Sequence, residues 1–382
     1  MTHDERQPEP LDIEVFLPKS VEVIDSRDGT RTTVAPRRRR RGTRKWLILF
    51  LFVATCASTF FVGMTPGDGP RVYELWRDGQ LNTVSDAQWT AYLRDGVTFS
   101  CAVMLILFAH EMGHYLQSRR YGVPATPPFF IPMPITPFGT MGAVIFQEPG
   151  VADRKALFDI AVSGPLAGLI FALPITYFGL LESNVIGFRP VAEEIVYAAP
   201  PIMRWMIDFV HPQLAANEML EDTPLLFAGW VGIFITALNL IPIGQLDGGH
   251  ILYTLIGKRA HRVALLLLWG GIAYMFFSGN YSYILIFVLL MFFGPRHPPT
   301  ADDRVPLGIT RTVLGWLTLC FIFVGFTPQP IMMLKPQPAP KHRLEQLDEQ
   351  KQRKRPAFDP ELTVEFVAPP PSRLPNLRRF AS

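Results

Sequence analysis

The chain is poor in cysteine, with three in 382 residues. Cys56, Cys101 and Cys320 each lie in an apolar run and form no CxxC pair, which excludes a disulfide framework and a cysteine-based zinc site; all three read as small buried hydrophobes. Charge is scarce too. Asp, Glu, Lys and Arg make up 18% of the chain and the formal net charge is +3; the arginine run at 37–41 could be a nucleic-acid patch, but beside an apolar run it reads more simply as a topology anchor, and no nucleic-acid partner is expected. A cleavable leader is not expected either, because the polar, Pro-rich stretch 1–45 is too long for the short basic start of a signal peptide.

What abounds is apolar sequence: 49% of residues are hydrophobic and mean hydropathy is +0.21. Predominantly apolar runs at 46–64, 96–116, 156–181 and 225–243, then shorter ones at 263–277, 281–293 and 312–326, predict an all-α polytopic membrane protein in a lipid bilayer. The expected organisation is a disordered basic tail over 1–45, a first span and external loop over 46–95, and a core over 96–255. C-terminal spans over 256–327 and a disordered Pro-rich charged tail over 328–382 complete it. The arginines at 37–41 with Arg44 and Lys45 anchor the N-terminus on the cytoplasmic side, and Arg119 and Arg120 return the second span to that side. Seven spans would put the last tail outside, against the pull of Lys351, Arg353, Lys354 and Arg355. A bacterial inner membrane is expected, with an organelle membrane as the alternative.

The second long run closes on His110-Glu111-Met112-Gly113-His114. On a helix, residues four apart share a face, so His110 and His114 can bind one Zn²⁺ while Glu111 takes a proton from a metal-activated water. Ionisable groups at the end of a span are costly and mark functional sites, which outweighs the bland reading of two helix-face histidines. The fourth run ends in NLIPIGQLDGGH, with Asn239 inside the membrane, Pro242 breaking the helix, and Asp247 and His250 as rival third ligands.

Between 122 and 149 six prolines exclude a spanning helix, and 143–147 reads as a short strand entered through Gly139 and Gly142. It is expected to form a re-entrant β-hairpin beside the metal, able to pair with an unwound peptide, or else a packing loop. The third run carries SGPLAG, whose small residues allow close but non-specific helix contact. An amphipathic interfacial helix is expected over 195–210.

These motifs together resemble the site-2 protease family of intramembrane zinc metalloproteases. HExGH matches His110, Glu111, Gly113 and His114, with a small residue at Ser118; NxxPxxxxDG matches Asn239, Pro242, Asp247 and Gly248; and GxxG matches Gly139 and Gly142. The resemblance spans 96–250 and implies a three-helix catalytic core with Zn²⁺ on His110, His114 and Asp247 and with Glu111 as base. It further implies Asn239 at the substrate carbonyl, and a substrate-binding surface from Gly139, Thr140, Met141, Gly142, Asn239 and Pro242. The implied substrate is a transmembrane protein. An inserted PDZ domain has no room here. The alternatives are a catalytically silent scaffold and a metal transporter; the second needs further intramembrane carboxylates or histidines, and few are present.

Overall fold

The computed structural model describes residues 21–24, 31–34, 45–64, 72–187, 194–215, 218–295 and 297–334. Two short strands, β1 (Val21–Ile24) and β2 (Arg31–Val34), pair antiparallel. The described residues all fall in the first of two units of the chain; the rest of the N-terminal stretch, 188–193 and all of 335–382 lie outside the described residues. The tails expected to be disordered, 1–45 and 328–382, lie largely outside the described residues; where they are described, the backbone is not disordered, since 21–24 and 31–34 form this hairpin and 331–334 forms a paired strand.

The first unit is mostly helical. Helix α1 (Lys45–Gly63) is followed by a short α2 (Val72–Arg77) and by α3 (Asp86–Arg120), which carries the histidine pair. Helix α3 begins ten residues ahead of the apolar run because Ser85 caps it, its side chain accepting from Gln88 N while Gln88 reaches back. Its 35 residues are about 52 Å long, well beyond a hydrocarbon core of about 30 Å. The extra turns pack outside the span, where Tyr92 is buried with Met64 and Leu75.

A hairpin follows, β3 (Phe129–Met133) with β4 (Gly139–Val144). The strand expected at 143–147 is displaced toward the N-terminus. Gly139 and Gly142, expected as its entry, are members of β4 and stand at φ 74° and 88°. Thr140, 2% exposed, makes this possible: its hydroxyl donates to Ile131 O at 3.0 Å and accepts from Gly142 N at 3.0 Å. Gln147 instead makes an isolated bridge to Ala125.

Helix α4 (Arg154–Glu182) is capped by Asp153 and contains Pro165 and Pro174. Two strands, β5 (Val185–Gly187) and β6 (Glu194–Tyr197), precede α5 (Pro201–Val210), so the helix expected over 195–210 is only its second half. Consecutive prolines explain this: Pro200 is extended, and Pro201 takes the first helical position, where its missing N–H is not needed. Strand β7 (Glu218–Leu220) pairs with β5, and β8 (Ile331–Leu334) with β6.

Helix α6 (Pro224–Asn239) packs within the bundle against α3 and α4. Its 16 residues are about 24 Å, shorter than a full crossing, and Ala228, Ile233 and Ala237 are fully buried. It stops at Asn239 rather than at 243, because Pro242 disfavours helical backbone in the residue before it. Helix α7 (Asp247–Ile256) runs through a 3₁₀ turn at Gly257–Arg259 into α8 (Ala260–Ser278), with α9 (Ile284–Phe293) and α10 (Ile309–Gly325) after it.

Among the described residues, four helical stretches are long and apolar enough to cross a bilayer, against seven spans expected: α1, α3, α4 and Asp247–Ser278, while α6 and α10 are shorter apolar helices. The stretch Asp247–Ser278 is broken at Gly257, φ 61°, beside Lys258, Arg259 and Arg262. Such charges are costly at mid-bilayer. The outside of the bundle is apolar, with Trp46, Phe277 and Phe323 each at least 80% exposed, as a lipid-facing surface requires. Inside, Phe99, Val103, Leu107, Leu180 and Trp230 pack together, and the Trp230 indole N–H donates to Ala198 O at 2.9 Å.

Candidate metal centre

The site forms where α3, α4, α6 and α7 meet, and each helix reaches it by a local device. Helical spacing puts His110 and His114 on one face of α3, buried at 3% and 7% exposure. Gly113 lets α4 approach that face, since a Cβ there would stand 2.5 Å from Ser163 O. Gly164 and Gly168 of α4 then leave room for the two rings: a Cβ on Gly164 would lie 2.0 Å from His114 Nε2, and one on Gly168 3.2 Å from His110 Nδ1. Pro165 interrupts the α4 ladder at this level, and Ile160 O accepts the His114 Nδ1–H at 2.7 Å. With its proton on Nδ1, His114 turns the Nε2 lone pair inward.

Asp247 arrives from the other side. After α6 ends, Pro242 and Gly244, φ 60°, reverse the chain, and Asp247 opens α7, where a carboxylate suits the positive helix end. Gly248 is needed for this return, because a Cβ would fall 1.9 Å from Leu240 O. The Asp247 oxygens face one imidazole each: Oδ2 is 3.1 Å from His110 Nε2 and Oδ1 is 3.2 Å from His114 Nε2.

These three residues form the one group among the described residues able to hold a metal ion, with donor atoms all within 4.8 Å of one another. Zinc bonds of about 2.0–2.2 Å at tetrahedral angles separate neighbouring donors by about 3.3–3.5 Å, so the observed spacings fit a zinc-sized ion. Two imidazoles and a carboxylate also leave a fourth position open, the pattern of a catalytic rather than a structural sphere. Glu111, 6% exposed, lies within electrostatic reach of all three. The Asn239 Nδ2 is 3.5 Å from His110 Nε2.

His250, the rival ligand, lies outside this group and points its Nδ1 at His297 Nε2, 2.5 Å away. The hairpin residues are further out. Gly139 packs on α1, where the Ser58 hydroxyl donates to Gly139 O at 2.6 Å, and Thr140 is turned into the hairpin. Just beyond the hairpin, Gln147 Nε2 donates to Ser118 Oγ at 3.1 Å, and Ser118 donates to His114 O at 2.8 Å, which joins this segment to the site.

The sequence reading missed the part played by α4. The available signal was spacing: Gly164 and Gly168 are four apart, like the two histidines they accommodate. The His250–His297 pair had no comparable signal.

Comparison with known proteins agrees with the motifs. Residues 98–278 match the model of peptidase family M50. The chain is 30% identical over 257 residues to a protein of Arabidopsis thaliana named "Probable zinc metalloprotease EGY2, chloroplastic", covering 63% of this chain and 45% of that protein. It is 33% identical over 177 residues to "Probable zinc metalloprotease EGY1, chloroplastic" of Oryza sativa subsp. japonica, covering 44% and 30% respectively. The chain thus spans less than half the length of these relatives.

Proposed function

We propose that this chain is a zinc metalloendopeptidase of the site-2 protease family that hydrolyses a peptide bond in or near a transmembrane segment of a membrane-protein substrate, a reading supported by the match of residues 98–278 to the model of peptidase family M50. The observation that carries the reading is the cluster of His110, His114 and Asp247 at zinc-compatible spacing, buried among apolar helices with Glu111 beside it. His110 and His114 would hold the ion through Nε2 and Asp247 through its carboxylate. Bound Zn²⁺ supplies a Lewis acid that polarises a carbonyl and raises the acidity of water.

Glu111 takes the proton of the attacking water as its oxygen adds to the peptide carbon. It then passes that proton to the departing amine as the C–N bond breaks. Asn239 donates its amide N–H to the substrate carbonyl oxygen, where negative charge develops. Among the described residues, sheet pairing joins β4 to β3 alone, which supports strand addition by an unwound substrate along the other edge of β4. A helical peptide hides its carbonyls in its own ladder, so unwinding has to precede attack. On this reading the hairpin re-enters the membrane within a catalytic core over 96–255. The site opens toward the cytoplasmic side, where Arg119 and Arg120 end α3, in a bacterial inner membrane or an organelle membrane. The second location is supported by relatives named as chloroplastic.

The test is product mapping by mass spectrometry. Purified protein in detergent is expected to cut an apolar transmembrane peptide within or beside its apolar stretch and to leave a soluble peptide of equal length whole. Equal cutting of both would refute the intramembrane reading, and no cutting of any transmembrane peptide would refute the protease.

A further inference from the structure

Three imidazoles meet beside the turn that carries Asp247, and the chemistry above uses none of them. His250 lies one turn beyond Asp247 on α7 and faces His297 Nε2. His297 comes from the segment 294–308 between α9 and α10, outside the stretch that matches the family. It is 7% exposed, its ring stacks on Tyr253 with centroids 4.4 Å apart, and its carbonyl accepts from His261 Nε2 at 3.2 Å.

The partners fix the hydrogens. Pro298 O can only accept, so the His297 Nδ1 bonded to it carries the proton. Burial, and then the neighbouring His250 ring, push the His297 pKa down to about 3, so the ring is neutral near pH 7. Its Nε2 is therefore an acceptor, and His250 Nδ1–H donates to it.

The same segment is fastened elsewhere. Ala301 N donates to Ala152 O at 2.9 Å, Arg154 N donates to Asp302 O at 3.2 Å, and the Tyr253 hydroxyl donates to Asp303 at 3.0 Å. Leu307 is buried with Leu157, Phe158 and Leu252. Residues 297–307 thus strap the start of α4 to α7.

We propose that His297 is a positioning residue for the metal centre: by accepting from His250 it locks the first turn of α7 and so the direction in which Asp247 faces His110 and His114. The proposal rests on the zinc reading. Outer partners of this kind typically change metal affinity by about 10–100-fold.

The test is the zinc dissociation constant of the full chain in detergent, measured by competition with a chelator for wild type, His297→Phe, His297→Gln and His250→Leu. Phe keeps a ring on Tyr253 without an acceptor, Gln offers Oε1 as a replacement acceptor, and Leu removes the donor. Zinc binding is expected to weaken about 10–100-fold in His297→Phe and His250→Leu and to recover most of the loss in His297→Gln. Melting of the metal-free proteins shows which variants fold, and either the Phe or the Leu variant decides if the other does not. Affinity within about twofold of wild type in a folded Phe or Leu variant, or a Gln variant as weak as Phe, overturns the proposal. Wild type that binds no zinc overturns the zinc reading itself, a distinct result.

Discussion

Gly164→Ala is the sharpest probe of how α4 shapes the metal centre. The new Cβ would fall 2.0 Å from His114 Nε2, 2.4 Å from Cε1 and 2.5 Å from Cδ2. Ordinary carbon contacts begin near 3.5 Å, so the ring has to retreat by about 1.5 Å or α4 has to back away. Neither is easy, because Ile160 O holds the His114 Nδ1–H at 2.7 Å and α4 is packed against α3 at Gly113. Metal ligands tolerate displacements of only about 0.2 Å, and a misplacement of about 1 Å near reacting groups costs about 10²-fold in rate. We therefore predict that zinc affinity and cleavage each fall by about 10²-fold or more, with an overpacking cost of about 1–3 kcal/mol in stability. Gly168→Ala is the internal comparison. Its nearest contacts are 3.2 Å from His110 Nδ1 and 3.3 Å from Cβ, which a shift of a few tenths of an ångström relieves, so its loss should stay below about tenfold. Zinc affinity by chelator competition, run beside thermal melts in detergent, reads both. A Gly164→Ala protein that binds zinc as tightly as wild type, or losses of equal size at the two glycines, would show that the rings are not seated against α4 as described.

Three further outcomes follow from the site and the hairpin. Asp247→Asn removes the charge and one strong donor, and zinc per chain after dialysis against a weak chelator should drop well below that of wild type; unchanged retention would remove Asp247 from the ligand set. Thr140→Val keeps the shape but strands the buried Gly142 N–H, which should cost about 1–3 kcal/mol and raise KM more than it lowers kcat, whereas an unaltered melt and KM would dissociate Thr140 from the hairpin's form. Ser118→Ala cuts the link from Gln147 to His114 O and should cost about 1 kcal/mol in the melt with zinc affinity nearly intact; a large loss of zinc would mean that the link also orients the ring.

Much of the site was legible because its code is local. His110, Glu111 and His114 declare themselves through helical spacing alone, and Asn239, Pro242 and Asp247 through a helix end that has to break inside the membrane. The rest depends on partners distant in sequence. The small residues of α4 were visible, but nothing in SGPLAG says which helix fills the space they leave, and the structure gives that space to imidazoles. His250 looked like a ligand from its position, and only the fold turns it toward His297, 47 residues away. Strand β4 was misplaced because glycines at positive φ read as breaks when considered alone, whereas Thr140 holds them within the strand. The helix over 195–210 was overextended for want of weight on Pro200 and Pro201.

The central claim is that Glu111 is the base beside a zinc held by His110, His114 and Asp247. Its most direct test measures zinc per chain and peptide cleavage on the same preparations of wild type and Glu111→Gln. The account predicts about one zinc per chain in both proteins, with cleavage in wild type and its loss by about 10²-fold or more in the variant. Cleavage by Glu111→Gln at the wild-type rate, or a wild-type protein that cleaves without zinc, would contradict it.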